Sequence, residues 1–242
     1  MKYVKGAIVV MFLWYVLALL VASPIVPFPH VVLLHGIANF MNEDMHRHII
    51  SSLLRILAGL ALALTMAIPT GIAAGRIRML DRIVSPVMYL LYPLPKIAFL
   101  PVFMVLFGIG DVSKVLLISV IIFFPAAVTI RDGVKEIPTE YLELAKAYHL
   151  TRTRVFKDIV WPAILPRIFS SLRITLGISL SVLFISETYA ARYGLGYHIM
   201  NSWVMAQYVQ MYASIMVLSL LGLLLYILVD LLERTFVHPR KK

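Results

Sequence analysis

ELAKAYHLTRTRVFKDIVWPAILP, residues 143–166, is the longest polar and charge-rich stretch in a chain that is otherwise almost continuously apolar. A short helix is expected to begin near Pro138, because proline is favoured in the first turn of a helix. Thr151 is suited to cap a second short helix, and Pro162 and Pro166 are expected to turn the chain back towards the membrane. A polar helical hairpin of this kind either docks onto a partner in water or is an ordinary loop packed on its own protein.

The composition around this segment indicates a membrane protein. Of 242 residues, 61% are hydrophobic and 14% are charged, whereas a soluble domain has about 45–50% apolar and about 25% charged residues. No hydrophilic block is large enough to fold separately, so we expect a single membrane domain over residues 1–242, with a core at 48–232 and a polar loop at 131–167. The absence of cysteine excludes disulfides, thiolate metal sites and cysteine nucleophiles.

Six apolar segments are long enough, or nearly so, to cross a bilayer as helices, which takes about 20 residues. They are residues 7–22, 49–74, 83–107, 113–130, 168–189 and 212–232. The first also resembles a signal peptide, with Lys2 and Lys5 ahead of an apolar run and Ala22-Ser23-Pro24 after it. A retained first helix fits the charge pattern better.

The basic residues sort onto two sides of these spans, and Lys and Arg concentrate on the cytoplasmic side of membrane proteins. The rich side contains Lys2, Lys5, Arg76, Arg78, Arg82, Arg131, Lys135, Lys146, Arg152, Arg154, Lys157, Arg167, Arg234, Arg240, Lys241 and Lys242. The poor side contains Arg47, Lys114 and Arg192. This asymmetry predicts six spans with both termini and the hairpin in the cytoplasm, and it explains the net charge of +10 better than nucleic-acid binding does.

Pro93 and Pro95 interrupt the third span, because proline removes a backbone donor and kinks a helix. Lys96 beside them has two interpretations: it lines a translocation path, or its long stem carries the charge to the membrane surface. Arg55 and Arg173 lie a turn or two inside their spans and are expected to reach the surface in the same way.

The fifth span carries a weakly polar stripe. Its members follow spacings of four, four and seven and so share one helical face: Ser171, Thr175, Ser179 and Ser186. The stripe either forms a wall of a translocation path or packs against a neighbouring helix with its hydroxyls bonded to the backbone. Glu187 follows the stripe, as a gate or as the cap of a bend.

Two other polar patterns carry weaker signals. One is the loop with His30, His35, His46 and His48, where clustered histidines suggest a metal site but His46 and His48 do not share a helical face. The other is Ser179 with His198, a pair of the kind that activates a nucleophile in an intramembrane protease. Both are secondary to the hairpin.

The hairpin is similar to the conserved cytoplasmic loop of permease subunits of ATP-binding-cassette (ABC) importers. That loop reads E-A-A, three residues, Gly, nine residues, Ile, one residue, Leu-Pro. Glu143, Ala145, Ile159 and Pro162 match it at these spacings. The chain departs from it at Leu144, His149 and Trp161, which replace Ala, Gly and Leu. Histidine enters the left-handed backbone region that the glycine occupies more often than most residues do.

Segments outside the loop resemble the nitrate, sulfonate and taurine branch of this family. They are HIISSLLR at residues 48–55, PLPKIAFLP at 93–101, FGIG at 107–110, and Glu187 together with GLGY at 194–197. The resemblance therefore covers most of the chain from His48 onward.

The resemblance implies an all-α membrane protein with six transmembrane helices of the type I ABC importer permease fold and a coupling-helix hairpin between the fourth and fifth spans. It implies docking onto a cytoplasmic ATPase subunit by Glu143, Ala145, Ala147, His149, Ile159 and Pro162. The further partners that it implies are a second permease copy in a homodimer, an extracytoplasmic solute-binding protein and membrane lipid, in a prokaryotic inner (plasma) membrane. The chain has no G-x-x-x-x-G-K-[ST] phosphate loop, so no cofactor is expected in it, and ATP and Mg are expected in the partner ATPase.

The leading hypothesis is the permease subunit of an ATP-driven importer, a transport subunit and not an enzyme, for a small anion such as a sulfonate, taurine or nitrate. Its translocation path is expected to include Ser171, Thr175, Ser179, Ser186, Lys96 and Glu187. Heterocyclic vitamin precursors are also solutes of this branch. The alternative is an ATP-independent carrier or channel, in which the hairpin is a plain loop.

Overall fold

Long apolar runs with few turn residues fold into helices in this chain. The computed structural model describes residues 2–40 and 43–237, so Arg240, Lys241 and Lys242 of the charge pattern lie outside the described residues. All regular structure in the described ranges is helical. The α-helices are α1 (Lys2–Val21), α2 (Pro29–Phe40), α3 (Glu43–Arg76), α4 (Arg78–Leu91), α5 (Leu100–Phe107), α6 (Asp111–Lys135), α7 (Thr139–Ala147), α8 (Arg152–Val155), α9 (Trp161–Thr188), α10 (Leu195–Val204) and α11 (Tyr208–Phe236).

Four stretches in the described part of the chain are long and apolar enough to cross a membrane by themselves: α3, α6, α11 and the continuous stretch Arg152–Thr188. The pair α4 and α5 makes a fifth if it is one bent span. The apolar part of α1, Lys5–Val21, is shorter than a full span. The segments predicted from hydropathy are thus all helical, and the sixth crossing stays a prediction.

The break predicted at Pro93 and Pro95 is confirmed. α4 ends at Leu91, a 3-10 turn covers Lys96–Phe99, and the two halves of the pair meet at 85°. Proline has no N–H to donate, so two prolines two residues apart favour a break of the helix at this point. The bend leaves irregular backbone in the middle of an apolar segment, which membrane proteins tolerate only where it faces protein or water.

The predicted turn at Pro162 and Pro166 is wrong. α9 begins at Trp161 and passes through both prolines without interruption to Thr188. Pro162 lies just after the π-helical turn Phe156–Val160, and Pro166 lies inside the helix. The hairpin therefore continues directly into the span that follows it.

The chain divides into two compact units. One consists of Met1–Leu54 and Phe184–Leu221, and the other of Arg55–Leu183 and Gly222–Lys242. The single domain expected over the whole chain stays a prediction, and each unit is described by itself.

The larger unit, Arg55–Leu183 with Gly222–Lys242, is packed around the middle of α6. Its core joins residues of α3, α4, α6 and α9, among them Ala67, Met88, Ala127 and Ile164. Small residues let the helices approach closely, as is usual in membranes: a Cβ atom added to Gly71 would lie 2.8 Å from the carbonyl oxygen of Ala127. The hairpin emerges from this well-packed unit.

The smaller unit is joined largely by aromatic and polar contacts. The rings of Trp14 and Tyr212 stack with their centroids 5.6 Å apart. Tyr15 hydrogen-bonds His30 over 2.6 Å. A Cβ atom at Gly36 of α2 would lie 3.2 Å from the side chain of Met216 on α11. The short helices α2 and α10 lie in this unit and were not anticipated, since hydropathy marked only the long spans.

Candidate functional site

The first arm of the hairpin, α7, ends in a turn that usually requires glycine. His149 adopts it with φ of +51°. The N–H of Leu150 donates to the carbonyl of Ala145 over 2.9 Å, and the N–H of His149 donates to that of Lys146 over 3.0 Å. These two bonds form a Schellman motif, in which a left-handed residue closes the helix end. His149 therefore preserves the turn that the family pattern assigns to glycine.

The second arm combines a capped turn of helix with a wider π-helical turn. The side chain of Thr151 accepts a hydrogen bond from the N–H of Arg154 over 3.4 Å, which confirms the predicted cap. The π turn spans Phe156–Val160, and the N–H of Trp161 donates to the carbonyl of Phe156 at its end. We call residues 139–160 the hairpin.

Large apolar side chains on one face of α7 point into solvent. Tyr141, Leu144 and Tyr148 are 53%, 54% and 76% exposed. Their spacings of three and four place them on one side of the helix. An apolar stripe of this size on an otherwise polar segment is typical of a protein interface. Sequence reasoning did not select these three residues as site residues, although the spacing alone was a usable signal.

The predicted coupling residues occupy three kinds of position. Glu143, Ala147 and His149 are exposed, Ala145 is buried, and Ile159 and Pro162 line a cleft of about 890 Å³. Tyr141 and Phe236, near the end of α11, also line this cleft. The structure thus brings Ile159 and Pro162 next to the exposed stripe of α7, while Ala145 anchors α7 to the protein beneath it. Their role in coupling stays a prediction.

An ion-pair network fixes α6 to α4 just before the hairpin. The buried guanidinium of Arg131 donates to the hydroxyl of Tyr89 over 2.8 Å and to the carboxylate of Asp132 over 2.9 Å. Lys135 pairs with Asp81 over 2.6 Å. Charged groups tied to several partners hold helices in one arrangement. The base of the hairpin is therefore attached firmly to the spans.

The predicted polar stripe of α9 is buried. Ser171, Thr175, Ser179 and Ser186 are all nearly inaccessible. The hydroxyl of Thr175 donates to the carbonyl of Ser171 over 2.9 Å, and that of Ser179 donates to the carbonyl of Thr175 over 2.6 Å. This is the arrangement that the helix-packing alternative describes. A place for the stripe in a translocation path stays a prediction.

A different face of α9 is open. Ile174 and Ile178 are 64% and 41% exposed, and Gly177 and Ser181 lie on the same exposed side. A Cβ atom added to Gly177 would meet nothing within 4 Å. Small residues among apolar ones allow another surface to approach closely, so this face is suited to contact with a partner or a solute.

Lys96 lies at the helix break beside that open face. Its ammonium group donates to the carbonyl of Tyr92 over 3.0 Å and lies 4.7 Å from the centre of the Phe124 ring. Lys96 and Ile178 both line a niche of about 300 Å³. Lys96 therefore lies at an open niche on this face, and its place in a translocation path stays a prediction.

Glu187, in the smaller unit, is fully buried and holds the chain that leads into α10. Its carboxylate accepts hydrogen bonds from the hydroxyl of Ser52 over 2.8 Å and from the N–H of Gly196 over 2.8 Å. The hydroxyl of Ser52 accepts in turn from the N–H of Leu195 over 2.8 Å. These bonds secure the first turn of α10, so Glu187 acts as a cap for this segment in the structure. Its place in a translocation path stays a prediction.

A polar pocket of about 410 Å³ opens next to this cluster, between α3, α10 and α11. The ring centroids of His48 and His198 lie 4.7 Å apart there with the rings tilted by 56°, and Arg192 and Asp44 are in the lining. His198 contacts Gln210 over 3.0 Å and Ser214 over 2.7 Å. Burial, with a smaller effect of His48, lowers the pKa of His198 to about 4.

His198 and Ser179 thus have separate partners, and no group of three or more His, Asp or Glu side chains in the described ranges is placed to hold a metal ion.

The known proteins that the chain resembles agree on its family. The model of the binding-protein-dependent transport system inner membrane component matches residues 67–238. This chain belongs to that family. It is 34% identical to the taurine transport system permease protein TauC of Escherichia coli K12 over 227 residues, or 91% of this chain and 82% of TauC.

The wider comparisons place the chain among ABC transporter permeases of the taurine and sulfonate branch. It is 27% identical over 234 residues to the putative aliphatic sulfonates transport permease protein SsuC of Bacillus subtilis 168, covering 96% of this chain and 85% of SsuC. Among solved structures, a chain of the inward-facing MetNI methionine ABC transporter matches with a TM-score of 0.68 at 20% identity, over 81% of this chain and 97% of that chain. The chain is thus a multi-pass ABC importer permease of the type I fold, a transport component and not an enzyme.

Proposed function

We propose that this chain is the permease subunit of an ATP-driven importer, and that it forms the membrane path for a small solute delivered by an extracytoplasmic binding protein. ATP and Mg bind separate ATPase subunits, which dock onto the hairpin from the cytoplasm. Both termini lie on the same side as the hairpin, in the cytoplasm of a prokaryotic cell. The charge asymmetry of the loops supports this orientation.

The observation that carries the proposal is the exposed stripe of Tyr141, Leu144 and Tyr148 on a hairpin that is otherwise polar. A stripe this apolar gains stability by entering a groove of another protein. The hairpin continues without a break into α9, and its base is tied to α4 by Arg131 and Lys135. Movement of a docked ATPase would therefore reach the spans directly, as in shear and hinge transitions between packed helices.

The path is proposed to run along α9. The predicted polar stripe, Glu187 and Lys96 belong to this proposal, and the open face at Ile174, Gly177 and Ile178 is added to it. A second copy of the chain would cover that open face and enclose the path between the two copies. The small side chains of this face support close contact of that kind.

The proposed solute is a small anion such as a sulfonate, taurine or nitrate. The names of the relatives TauC and SsuC support sulfonates first. The one lysine placed at the helix break of the larger unit supports a negatively charged solute, because a cation within a membrane favours an anion nearby.

Co-purification tests the docking role of the hairpin. A tagged wild-type chain, solubilised in mild detergent from its own host's membranes, should recover an ATPase subunit. Glu143→Arg and Tyr148→Asp should each lower that recovery by at least about tenfold, because exposed aromatic residues at interfaces are often worth about 2 kcal/mol or more. Tyr189→Asp is the matched control, since Tyr189 is also well exposed but lies beyond the far end of α9.

The amounts of permease in the membrane must be equal for all variants. Undiminished ATPase recovery with Glu143→Arg and Tyr148→Asp would contradict docking at the hairpin. Recovery of the wild-type chain without any ATPase would favour the ATP-independent carrier, in which the hairpin is a plain loop.

A further inference from the structure

The ammonium group of Lys96 lies at the middle depth of a candidate membrane span. It contacts the ring of Phe124, the fourteenth of the 25 residues of α6. At a rise of about 1.5 Å per residue, Phe124 is about 17–20 Å from either end of this helix. A lysine that reaches the membrane surface would extend towards one of those ends. The ammonium group of Lys96 instead stays beside the middle of α6.

Two arginines within spans of the same unit pair with carboxylates, which Lys96 does not. Arg55 pairs with Asp111 over 2.7 Å, and Arg173 pairs with Asp230 and Glu233. The expectation that these two arginines reach the membrane surface stays a prediction. Among the ion pairs in the part of the chain that the structure describes, none includes Lys96. Its contacts are one carbonyl oxygen and the faces of the Tyr92 and Phe124 rings.

The niche beside Lys96 is open and otherwise apolar. Besides Lys96 and Tyr92, it is lined by Leu94, Ile97, Ile121, Pro125, Ile178 and Val182. A charge in such surroundings is poorly solvated, and electrostatic attraction is much stronger there than in water. An ammonium ion has three donors, and the contact to Tyr92 uses one of them. The niche thus presents one cation with free donors and a hydrocarbon wall.

We propose that the Lys96 niche binds a small organic anion with an apolar portion, of the alkanesulfonate type, as it passes through the protein. The anionic group contacts the Lys96 ammonium, and the alkyl portion packs on Ile178 and Ile121. This inference deepens the proposed function and rests on it, since the solute must reach the niche along α9. In secondary transporters, binding sites form at discontinuous helices near the midplane, and this niche lies at a comparable break of a bent span.

Ligand-dependent thermal stability of the assembled transporter in lipid nanodiscs tests the proposal, with ethanesulfonate as the probe and sodium chloride at equal ionic strength as the reference. Ethanesulfonate should raise the melting temperature of the wild-type complex, since a ligand that binds only the folded state stabilises it. Lys96→Arg, which keeps the charge, should retain most of this shift. Lys96→Met should lower the apparent affinity by at least about tenfold.

Two further variants distinguish binding at the Lys96 niche from the general effect of removing a positive charge. Ile178→Trp fills the niche while leaving Lys96 in place, and it should also abolish the shift. Lys5→Met removes an exposed cation from α1 and should behave as the wild type. A fatty acid from the membrane is the other source of an organic anion, so decanoate is titrated in parallel with ethanesulfonate.

Each outcome decides the proposal. No shift of the wild type with ethanesulfonate, an equal shift in Lys96→Met, or a shift with decanoate alone would overturn it. The ATPase recovered with each preparation is measured separately, so failure of the proposed function appears as loss of the partner and failure of this site as loss of the shift alone.

Discussion

His149 shows how a single residue can satisfy a backbone requirement at some cost. Its φ of +51° lies in the left-handed region, which costs a residue with a side chain about 1–2 kcal/mol more than glycine. The two hydrogen bonds that close the end of α7 offset this cost.

Substitutions at His149 should therefore follow backbone preference. His149→Gly should stabilise the hairpin by about 1 kcal/mol and leave ATPase recovery unchanged. His149→Val should destabilise it by a similar amount or more, because β-branched residues tolerate positive φ poorly. Limited proteolysis of the hairpin reports the change, with the exposed helical residue Thr153→Val as the control. A His149→Val hairpin as resistant as the wild type would contradict this account of the turn.

Local chemistry allowed some of these residues to be predicted from sequence and not others. The Thr151 cap follows from residue type and from its position just before a helix. The exposure of Tyr148 and the burial of Ala145 depend on which face of α7 packs on the protein, and a nine-residue helix with apolar residues on two faces does not determine this. The sequence placed the stripe from Ser171 to Ser186 on one face of α9 but left open whether that face is a wall of a path or a contact between helices.

At the scale of elements, the turn into α10 depends on one buried carboxylate. Glu187 accepts from Ser52 and from the backbone of Gly196. The fit is close, since a Cβ atom at Gly196 would lie 2.5 Å from the carbonyl oxygen of Phe184. The hydroxyl of Ser52 in turn accepts from the N–H of Leu195. Glu187 therefore supports three polar groups: the hydroxyl of Ser52 and the N–H groups of Gly196 and Leu195.

Removing this carboxylate should destabilise the segment. Glu187→Ala leaves the Gly196 N–H without its acceptor, and each buried unsatisfied group costs about 1–3 kcal/mol. The melting temperature in detergent should fall by several degrees, and Glu187→Gln should lie between this variant and the wild type because it keeps one acceptor oxygen.

The exposed Glu43 provides the control, as Glu43→Ala should change little. Equal melting temperatures for the wild type and Glu187→Ala would show that the cluster does not hold α10.

Two proline pairs had different effects on the helices, and the sequence correctly predicted only the break at Pro93 and Pro95. Pro93 and Pro95 coincide with the break of a span. Pro162 follows the π turn Phe156–Val160, and Pro166 lies inside α9, which continues to Thr188. A proline in an apolar run therefore does not by itself mark the end of a helix, and the sequence did not locate the π turn that precedes α9.

For the molecule as a whole, hydropathy and charge pattern were sufficient to predict an all-helical membrane protein, and the family match at residues 67–238 agrees. The depth of Lys96 was not predictable, because it depends on the 85° bend that places the break against the middle of α6. Ion pairs between residues far apart in the chain, such as Arg173 with Glu233, could likewise not be predicted, because they depend on how the helices pack.

We propose above all that the hairpin transmits the movement of a separate ATPase subunit, driven by ATP hydrolysis, to the membrane spans. Site-specific photocrosslinking tests it most directly, with a benzophenone amino acid in place of Tyr148 in native membranes and in place of Tyr189 as the control. The account predicts that position 148, and not position 189, crosslinks to a protein with an ATP-binding-cassette phosphate loop. Crosslinks from position 148 only to lipid or to this same chain would contradict it.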